Sequence, residues 1–408
     1  MLGRVLNTHQ QWLCRQLSDL GYVVTRQVAV PDEGAQIQAA VRESLARADL
    51  IVTTGGLGPT SDDRTRDFIA ELLGADLVQN DEVLERIVNF FASRKRPMPA
   101  STRVQALVPR GAMVLMNAHG TAPGLIVEAP AARFRETRTF LVMLPGPPRE
   151  LRPMFIEQVV PWLRLKFAND TEFACRTLKT TGLGESRVEE IVAPELKHLT
   201  DAGLELGYCA RTGEVDVRLV ARGSGAQQKV READSIVRRL LDEHVFGADD
   251  EQLESALVCL LTERKQIVAL AESCTGGYIA NRLTNVPGAS AVLWGGVVSY
   301  SNVAKMKWLN VSEATLAANG AVSEETAREM AEGALRISGA NFAISVTGIA
   351  GPGGGDEKKP VGTVFIGLAD RSGSRVYKFL NPYDRETFKY VTSQQALEIL
   401  RRALLKKK

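Results

Sequence analysis

The chain has 408 residues, of which 45% are hydrophobic and 24% are charged, a balance typical of soluble globular proteins with two or three domains. Its 50 basic and 48 acidic residues leave a formal net charge of +2, so no overall field draws it to nucleic acid or to an anionic membrane. The five cysteines form no C-x-x-C pair, the start "MLGRVLNTHQ" lacks the layout of a signal peptide, and no apolar run reaches the roughly 18 residues of a membrane span. We therefore expect a cytoplasmic protein without structural zinc and without a membrane partner.

The first segment, residues 1–165, alternates helical and strand-like stretches. Helical spacing runs through "NTHQQWLCRQLSDLG" and "EGAQIQAAVRESLARA". Strands are predicted at "YVVTRQVAV", "DLIVTT", "MVLM", "GLIVEA" and "TFLVMLPG", and a helix that starts with prolines follows. This alternation predicts a largely parallel, three-layer α/β domain.

A glycine-rich turn in this segment, "VTTGGLGPTSDDRT" (52–65), lies between a buried strand and a helix start. Such a turn suits phosphate, because free backbone N–H groups point outward at a helix N-terminus. A simple turn followed by a helix cap at Ser61 explains the same letters equally well. Two further loops, "NAHGTAPGL" (117–125) and "LPGPPREL" (144–151), favour the binding interpretation.

The second segment, residues 170–248, has the order strand, helix, strand, strand, helix. Its two central strands meet at "ARTGE", which predicts a hairpin, and the whole segment is typical of a small α+β domain. The polar stretch "GADDEQ" that follows is the predicted linker.

The third segment, residues 251–408, is again of the α/β type. Polar, glycine-rich loops interrupt it at "ESCTGG" (272–277), "GGVVSYSNVAK" (295–305) and "VTGIAGPGGGDEKKPVGT" (346–363). Because strand ends converge on one crevice in open α/β sheets, these distant loops can share a site.

Hydrolysis of an acyl group needs a nucleophile, a base and donors for the developing oxyanion. All four histidines, His9, His119, His198 and His244, precede the third segment, which excludes a Ser-His-Asp triad within it. A serine–lysine pair is the known variant, and it needs a lysine whose pKa is lowered by burial or by a neighbouring cation. Ser273 is the candidate nucleophile, Lys305 is the candidate base, and the backbone N–H groups after Ser273 are expected to be free for an oxyanion or a phosphate.

Each of these residues also has a simpler explanation. Ser273 or Thr275 could be a plain helix cap, and a helical lysine such as Lys305 is more often solvated than catalytic. Cys274 could be a second nucleophile or a small buried hydrophobic residue. The stretch "GPGGGDEKK" could be a surface loop, although both of its flanks are strand-like.

The three loop motifs, together with "GAVSEETAREMAEGAL" (320–335), resemble the nicotinamide-nucleotide amidohydrolase domain of the CinA family. The resemblance implies hydrolysis of the carboxamide of nicotinamide mononucleotide to nicotinic acid mononucleotide and ammonia, a step of pyridine-nucleotide salvage in NAD metabolism. It implies that Ser273 is the nucleophile, Lys305 its base and Tyr300 a supporting hydroxyl, with no metal or other cofactor. The implied substrate pocket comprises Thr275, Gly276, Gly277, Thr347, Gly348, Gly351, Pro352, Lys359 and Gly362.

The three N-terminal loops are similar to the molybdopterin-binding-like domain that begins CinA proteins, a domain associated with a metal-dependent ADP-ribose pyrophosphatase activity. The resemblance implies that Asp63 is the ligand of a divalent metal, since hard cations prefer carboxylates. His119 is either a further ligand or a solvent-facing loop residue. The implied nucleotide site comprises Gly55, Gly56, Gly58, Asp63, Asn117, Thr121, Gly124, Pro145, Gly146 and Glu150. This activity, with ADP-ribose as substrate, is the alternative main function.

CinA proteins usually open with a strand and a "GDELL"-like turn before the glycine that Gly3 matches in this sequence. We therefore expect the first strand to be missing, which means either a misassigned start or an impaired N-terminal site.

Residues 170–248 resemble the KH-like connector of the same family. KH modules grip nucleic acid with a G-x-x-G loop, whereas the corresponding turn here is "TTGLGES" and carries Glu185. We expect a spacer or dimer-forming module rather than RNA binding, and a homodimer as in the family. The family's name suggests a non-enzymatic, DNA-associated competence role as a further alternative, but the near-neutral charge argues against it.

The predicted fold class is α/β: two three-layer α/β domains, 1–165 and 251–408, joined by a small α+β (KH-like) domain, 170–248.

Overall fold

A computed structural model describes residues 6–130, 133–167 and 172–406. The chain divides into two compact units, Met1–Asp170 and Thr171–Lys408. The predicted fold class is confirmed, since the first unit is an α/β domain and the second holds a small α+β domain followed by another α/β domain. None of the helices in the described ranges combines the length and apolar character needed to span a lipid bilayer.

The first unit is built on a sheet of four described strands in the order β1-β6-β5-β4. The sheet strands are β1 (Leu50–Thr54), β4 (Met113–Leu115), β5 (Gly124–Ala129) and β6 (Thr139–Leu144), and β2 (Leu77–Gln79) and β3 (Leu107–Pro109) form a separate pair. The helices are α1 (Thr8–Asp19), α2 (Gly34–Leu45), α3 (Thr65–Leu73), α4 (Asp81–Ser93), α5 (Pro148–Met154) and α6 (Val160–Lys166), with a π turn at Phe155–Val159 and a 3₁₀ turn at Ala100–Ala106.

Two predictions for this unit were wrong. Strands β1 and β6 run parallel, but β5 runs antiparallel to both β6 and β4, so the described sheet is mixed rather than largely parallel. Residues 22–30, predicted as a strand, have no regular secondary structure and join no sheet within the described ranges. Tyr22 and Val24 instead pack against the core between α1 and α6, so burial alone accounts for their apolar character. The expected missing strand and Gly3 concern residues 1–5, which lie outside the described residues.

The small α+β domain has an antiparallel sheet in the order β10-β7-β9-β8, with two helices packed on one face. Its elements are β7 (Phe173–Thr181), α7 (Glu185–Asp201), β8 (Leu204–Arg211), β9 (Glu214–Arg222), α8 (Ala226–Leu241) and β10 (Val245–Ala248), with a 3₁₀ turn at Asp242–His244. The predicted hairpin is confirmed, since Arg211 pairs with Glu214 across the turn. Strand β10 was not predicted, because four residues are too few to show a strand period and its pairing with β7 is tertiary.

The second α/β domain carries a five-stranded sheet in the order β12-β11-β13-β14-β15. Its strands are β11 (Val268–Glu272), β12 (Leu293–Val298), β13 (Phe342–Gly348), β14 (Thr363–Asp370) and β15 (Gly373–Leu380). Its helices are α9 (Leu253–Glu263), α10 (Tyr278–Thr284), α11 (Asn302–Leu309), α12 (Glu313–Asn319), α13 (Glu324–Ser338) and α14 (Arg385–Lys406), with a 3₁₀ turn at Ala289–Ala291.

This sheet brings the three loop motifs to one edge. Strands β12, β11 and β13 are parallel, so their carboxyl ends at Val298, Glu272 and Gly348 lie side by side. Helices α9, α10 and α14 cover one face through one core cluster, and α11 and α13 cover the other face through a second cluster. The result is the three-layer arrangement in which loops at the carboxyl edge form a crevice.

Candidate functional site

The structure brings Ser273 and Lys305 into direct contact. The Nζ atom of Lys305 lies 3.0 Å from Ser273 Oγ, and the two side chains are only 1% and 8% exposed, respectively. Ser273 extends β11 by one residue, since its N–H donates to the carbonyl of Val346 on β13. Lys305 lies on α11, which begins after β12 with the Ser301 hydroxyl accepting from the N–H of Ala304. Two adjacent parallel strands therefore position both side chains.

The surroundings of Lys305 favour its neutral form. Burial lowers the pKa of its amine, and no carboxylate within the described ranges forms an ion pair with it. Its Nζ lies 2.8 Å from the Ser299 carbonyl oxygen and 3.4 Å from that of Tyr300. A neutral amine has two N–H donors for these carbonyls and one lone pair for the Ser273 hydroxyl proton. Its hydrogen-bonding capacity thus matches its three neighbours.

Glu272 determines the shape of the turn that carries Ser273. Its buried carboxylate accepts hydrogen bonds from the N–H groups of Gly277 (3.0 Å), Ile279 (3.1 Å) and Ala280 (2.8 Å). Gly276 and Gly277 both adopt left-handed φ angles, 64° and 92°, which only glycine adopts without strain. The glycine pair lets the chain fold back so that the start of α10 meets Glu272.

This contact corrects one prediction. The N–H groups at the start of α10 are not free for an anion, because Glu272 accepts from them. No backbone carbonyl among the described residues accepts a hydrogen bond from the N–H group of Cys274 or of Thr275. These two amides, directly after Ser273, are therefore the donors available to an oxyanion.

Two buried hydroxyls lie beside the pair without a hydrogen-bond partner among the described residues, Thr275 Oγ1 and Ser299 Oγ. Both residues are fully buried, and Ser299 touches Lys305 through its carbonyl. A buried hydroxyl without a partner costs free energy, so such groups in a crevice are candidates to contact a substrate. Thr275 was predicted for this site and Ser299 was not.

Cys274 fits the structural explanation better than the catalytic one. Its side chain belongs to the apolar core between the sheet and helices α9, α10 and α14. Burial raises the pKa of its thiol to about 12, so the reactive thiolate is scarce at neutral pH.

Tyr300 lies at the rim of the site. Its carbonyl faces Lys305, but its hydroxyl accepts a hydrogen bond of 2.9 Å from Nη2 of Arg385, and the side chain is 62% exposed. The structure thus directs the predicted supporting hydroxyl toward an arginine on α14.

The loop after β13 contributes mainly backbone atoms, rather than side chains, to the candidate site. Thr347 Oγ1 donates to the Ala321 carbonyl (2.7 Å). Gly348 and Gly362 lie against neighbouring backbone, where an added Cβ would approach to 2.8 and 2.6 Å. Gly362 also has a φ of 98°, which explains the need for glycine there.

The other predicted residues, Gly351, Pro352 and Lys359, lie further along the same loop. Gly351 and Pro352 are joined by a cis peptide bond, and the Gly351 carbonyl accepts from Nη1 of Arg385 at 3.1 Å. The ammonium group of Lys359 donates to the carbonyl of Asn319 (2.8 Å), which ties this side chain to the end of α12.

Sequence reasoning missed two cations at this edge, Arg385 and Lys389. They stand one turn apart at the start of α14, and Nζ of Lys389 lies 5.7 Å from the centre of the Tyr278 ring. The only signal in the sequence is their spacing of four residues in a predicted helix, which is common on solvated helix faces.

The glycine turn of the first unit is closely packed. Gly55 and Gly56 adopt left-handed φ angles of 87° and 67°, and the Gly55 N–H donates to the carbonyl of Leu144 at the end of β6. The Asp63 carboxylate accepts from the N–H and the hydroxyl of Thr60 and lies where a side chain on Gly58 would clash. The Asp63 side chain thus makes its hydrogen bonds within the turn itself.

The second N-terminal loop is held by Asn117 and Glu150. The buried amide of Asn117 donates to Glu150 Oε2 and to the Ala122 carbonyl, each at 2.8 Å. Arg86, Asn117 and Thr121 line an adjoining cavity of about 10 Å³, which is large enough for no more than one water molecule. The third loop approaches the first, since a Cβ on Gly146 would lie 3.6 Å from Gly55 Cα. Of the other predicted residues, Pro145 directly follows β6, and Gly124 opens β5 against Met154.

The residues present fit a divalent metal only in part. Asp63 offers one carboxylate, His119 is exposed, and the described residues contain no group of three or more His, Cys, Asp or Glu side chains that could hold an ion. A magnesium ion bound to Asp63 would take its remaining ligands from water and substrate phosphates, as this ion often does.

The chain matches three family profiles in order. They are "Probable molybdopterin binding domain" over residues 1–165, "Damage-inducible protein CinA KH domain" over 175–247 and "CinA C-terminal domain" over 250–404.

The chain is similar to curated relatives over nearly its whole length. The chain is 43% identical to a "Putative competence-damage inducible protein" of Caldicellulosiruptor bescii, over 99% of this chain and 97% of the relative. It is also 43% identical to a "CinA-like protein" of Akkermansia muciniphila, over 97% and 93%. The crystal structure of the competence/damage inducible protein CihA from Agrobacterium tumefaciens is 45% identical, covering 38% of this chain and 94% of that one, with a TM-score of 0.36.

Proposed function

Because the chain belongs to the CinA family, we propose that its C-terminal domain hydrolyses the carboxamide of nicotinamide mononucleotide to nicotinic acid mononucleotide and ammonia. The observation that carries the proposal is the contact of 3.0 Å between Ser273 Oγ and the buried amine of Lys305. A hydroxyl beside an uncharged amine, shielded from bulk water, is a nucleophile with its base already in place.

The reaction proceeds in two halves. Neutral Lys305 accepts the Ser273 hydroxyl proton while Oγ attacks the carboxamide carbon, and the carbonyl oxygen becomes an oxyanion facing the N–H groups of Cys274 and Thr275. The resulting lysine ammonium then gives its proton to the departing nitrogen. Ammonia leaves, and the acyl group remains bound to Ser273 as an ester. Water attacks this ester with Lys305 again as base, and the acid product leaves with Ser273 restored.

These residues supply the nucleophile, the base and the oxyanion donors, so the proposed reaction requires no metal or organic cofactor. The test is ammonia release from nicotinamide mononucleotide by the purified full-length chain in the presence of EDTA. Release under chelation supports the amidase, whereas no release at any enzyme concentration contradicts it.

A second candidate function is hydrolysis of ADP-ribose by the first unit. The observation that favours it is the convergence of the three predicted nucleotide loops, since Asn117 of the second donates to Glu150 of the third, and a Cβ on Gly146 of the third would lie 3.6 Å from Gly55 Cα of the first. AMP release from ADP-ribose that appears with added magnesium and disappears with EDTA would support this activity, and an Asp63→Asn variant should reduce it.

The DNA-associated role receives no support from the turn that matches the KH loop. Gly182 in this turn lies close to Arg402 of α14 and to His244, at 3.1 and 3.5 Å from where a Cβ would be. Gly182, Gly184 and Glu185 of this turn are nevertheless exposed, so the preference for a spacer rests on the absence of a G-x-x-G motif from the sequence. The homodimer remains a prediction, to be tested by sedimentation equilibrium.

A further inference from the structure

Two cations on one helix flank the turn that carries Ser273. Nζ of Lys389 lies next to Gly276, 3.9 Å from where a Cβ on that glycine would be. One turn earlier on α14, Arg385 donates to the Tyr300 hydroxyl (2.9 Å) and to the Gly351 carbonyl (3.1 Å). Residues four apart lie on the same face of a helix, so both charges stand over the same edge of the sheet.

These two charges are not neutralised within the described chain. Neither Arg385 nor Lys389 has a carboxylate within 4.0 Å among the described residues, whereas Arg401 and Arg402 on the same helix both pair with Glu398. The contacts of Arg385 use a neutral hydroxyl and a carbonyl, which fix its guanidinium without cancelling its charge. An anion that approaches this edge therefore meets two oriented, unpaired cations.

A further lysine of this edge also keeps its charge but is held at another helix. Lys359, the cation that the motif resemblance assigned to the substrate pocket, donates to the carbonyl of Asn319. Its ammonium is held at the end of α12, so the better placed charges are those of α14.

We propose that Arg385 and Lys389 bind the phosphate monoester of the nucleotide substrate and make the enzyme selective for the phosphorylated form. The inference rests on the proposed amide hydrolysis. Arg385 lies at the rim, joined to Tyr300 and Gly351, while the reacting carbon must lie at the buried Ser273. In the substrate the ribose separates the amide-bearing ring from the phosphate, so the phosphate must lie away from the reacting carbon, as a site at the rim requires. Arginine contributes a planar fork of donors and lysine a point charge, the usual pair for phosphate.

The test compares two substrates that differ only in the phosphate, nicotinamide mononucleotide and nicotinamide riboside. We expect Arg385→Gln and Lys389→Gln each to lower kcat/KM for the nucleotide by roughly ten- to a hundredfold, chiefly through KM. Turnover of the riboside should fall much less, because this substrate has no phosphate for either cation to bind. A matched control is Arg371→Gln, since Arg371 is exposed and follows Asp370 at the opposite end of the sheet. Equal losses on both substrates, or no loss on either, would overturn the proposal.

A binding measurement separates this inference from the proposed function. If the wild-type chain releases ammonia from neither substrate, the amidase is wrong, and calorimetric titration with the nucleotide and with inorganic phosphate tests the anion site alone. Binding by wild type and Arg371→Gln that is lost in Arg385→Gln and Lys389→Gln would uphold the anion site. Equal binding by all four proteins, or by none, would refute it. Unchanged thermal melting shows that the variants are folded.

Discussion

The carboxylate of Glu272 accepts a hydrogen bond of 2.8 Å from the N–H of Ala280, across the turn that carries Ser273. A residue at the end of β11 thereby holds the start of α10 through three backbone N–H groups. Since the same turn carries the N–H groups of Cys274 and Thr275, which donate to no backbone carbonyl among the described residues, Glu272 is a positioning residue for both the nucleophile and the oxyanion donors.

We predict that Glu272→Ala lowers kcat by at least about a hundredfold, while the free energy of unfolding falls by about 2–4 kcal/mol. Glu272→Gln should recover part of both losses, because its amide oxygen still accepts from the helix N–H groups. The measurements are ammonia release and urea denaturation. A suitable control is Glu325→Ala, which removes an exposed carboxylate from the first turn of α13. A variant that loses stability but keeps full kcat would show that Glu272 is only structural.

The serine–lysine pair gives the most direct prediction. Ser273→Ala and Lys305→Met should abolish ammonia release, since one removes the nucleophile and the other the base. Lys305→Met should not lower the melting temperature, because a buried amine is replaced by an apolar side chain of similar length. Lys307→Met, on the exposed face of the same helix, serves as control and should be fully active. Wild-type rates in either site variant would exclude the proposed mechanism.

How much of this site the sequence could show depends on the range of the interactions. Ser273 and Lys305 were predictable because a strand end and a helix start place each of them locally, and the motifs are contiguous. The role of Glu272 was not, since a carboxylate that ends an apolar strand shows its partners only once the glycine turn has folded back. Arg385 lies 112 residues beyond Ser273, and its proximity follows from the packing of α14 on the sheet.

The lowered pKa of Lys305 predicts a pH dependence of activity. Burial favours the neutral amine, so kcat/KM should rise with pH through this lowered pKa and level off below the ordinary lysine value of about 10.4. Stability should change in the same direction, because the unfolded chain binds the extra proton between the two pKa values, and unfolding is therefore less favourable as pH rises through that window. A kcat/KM for the nucleotide that stays constant from acid to alkaline pH would show that no such base is used.

The final prediction concerns the junction of the α+β domain with the C-terminal domain, which share the second unit. Arg282 on α10 is 6% exposed; it pairs with Glu254 (2.6 Å) and donates to the side chains of Ser393 (2.8 Å) and Gln394 (2.7 Å). Gln394 in turn donates to the buried Glu214 of β9.

Arg282→Ala leaves the Glu254 carboxylate, whose side chain is only 18% exposed, and the buried Ser393 and Gln394 without their partner, so it should lower the free energy of unfolding by about 3–5 kcal/mol. The exposed pair of Arg187 and Glu190 provides the control, and Arg187→Ala should cost no more than about 1 kcal/mol. Both values come from urea denaturation of the full chain followed by far-UV circular dichroism. Because Arg282 lies on the helix that follows the Ser273 turn, the damage should reach the site as well, and Arg282→Ala should lose ammonia release in conditions where Arg187→Ala retains it. Similar unfolding midpoints for the two variants would mean that the buried network contributes nothing beyond a surface ion pair.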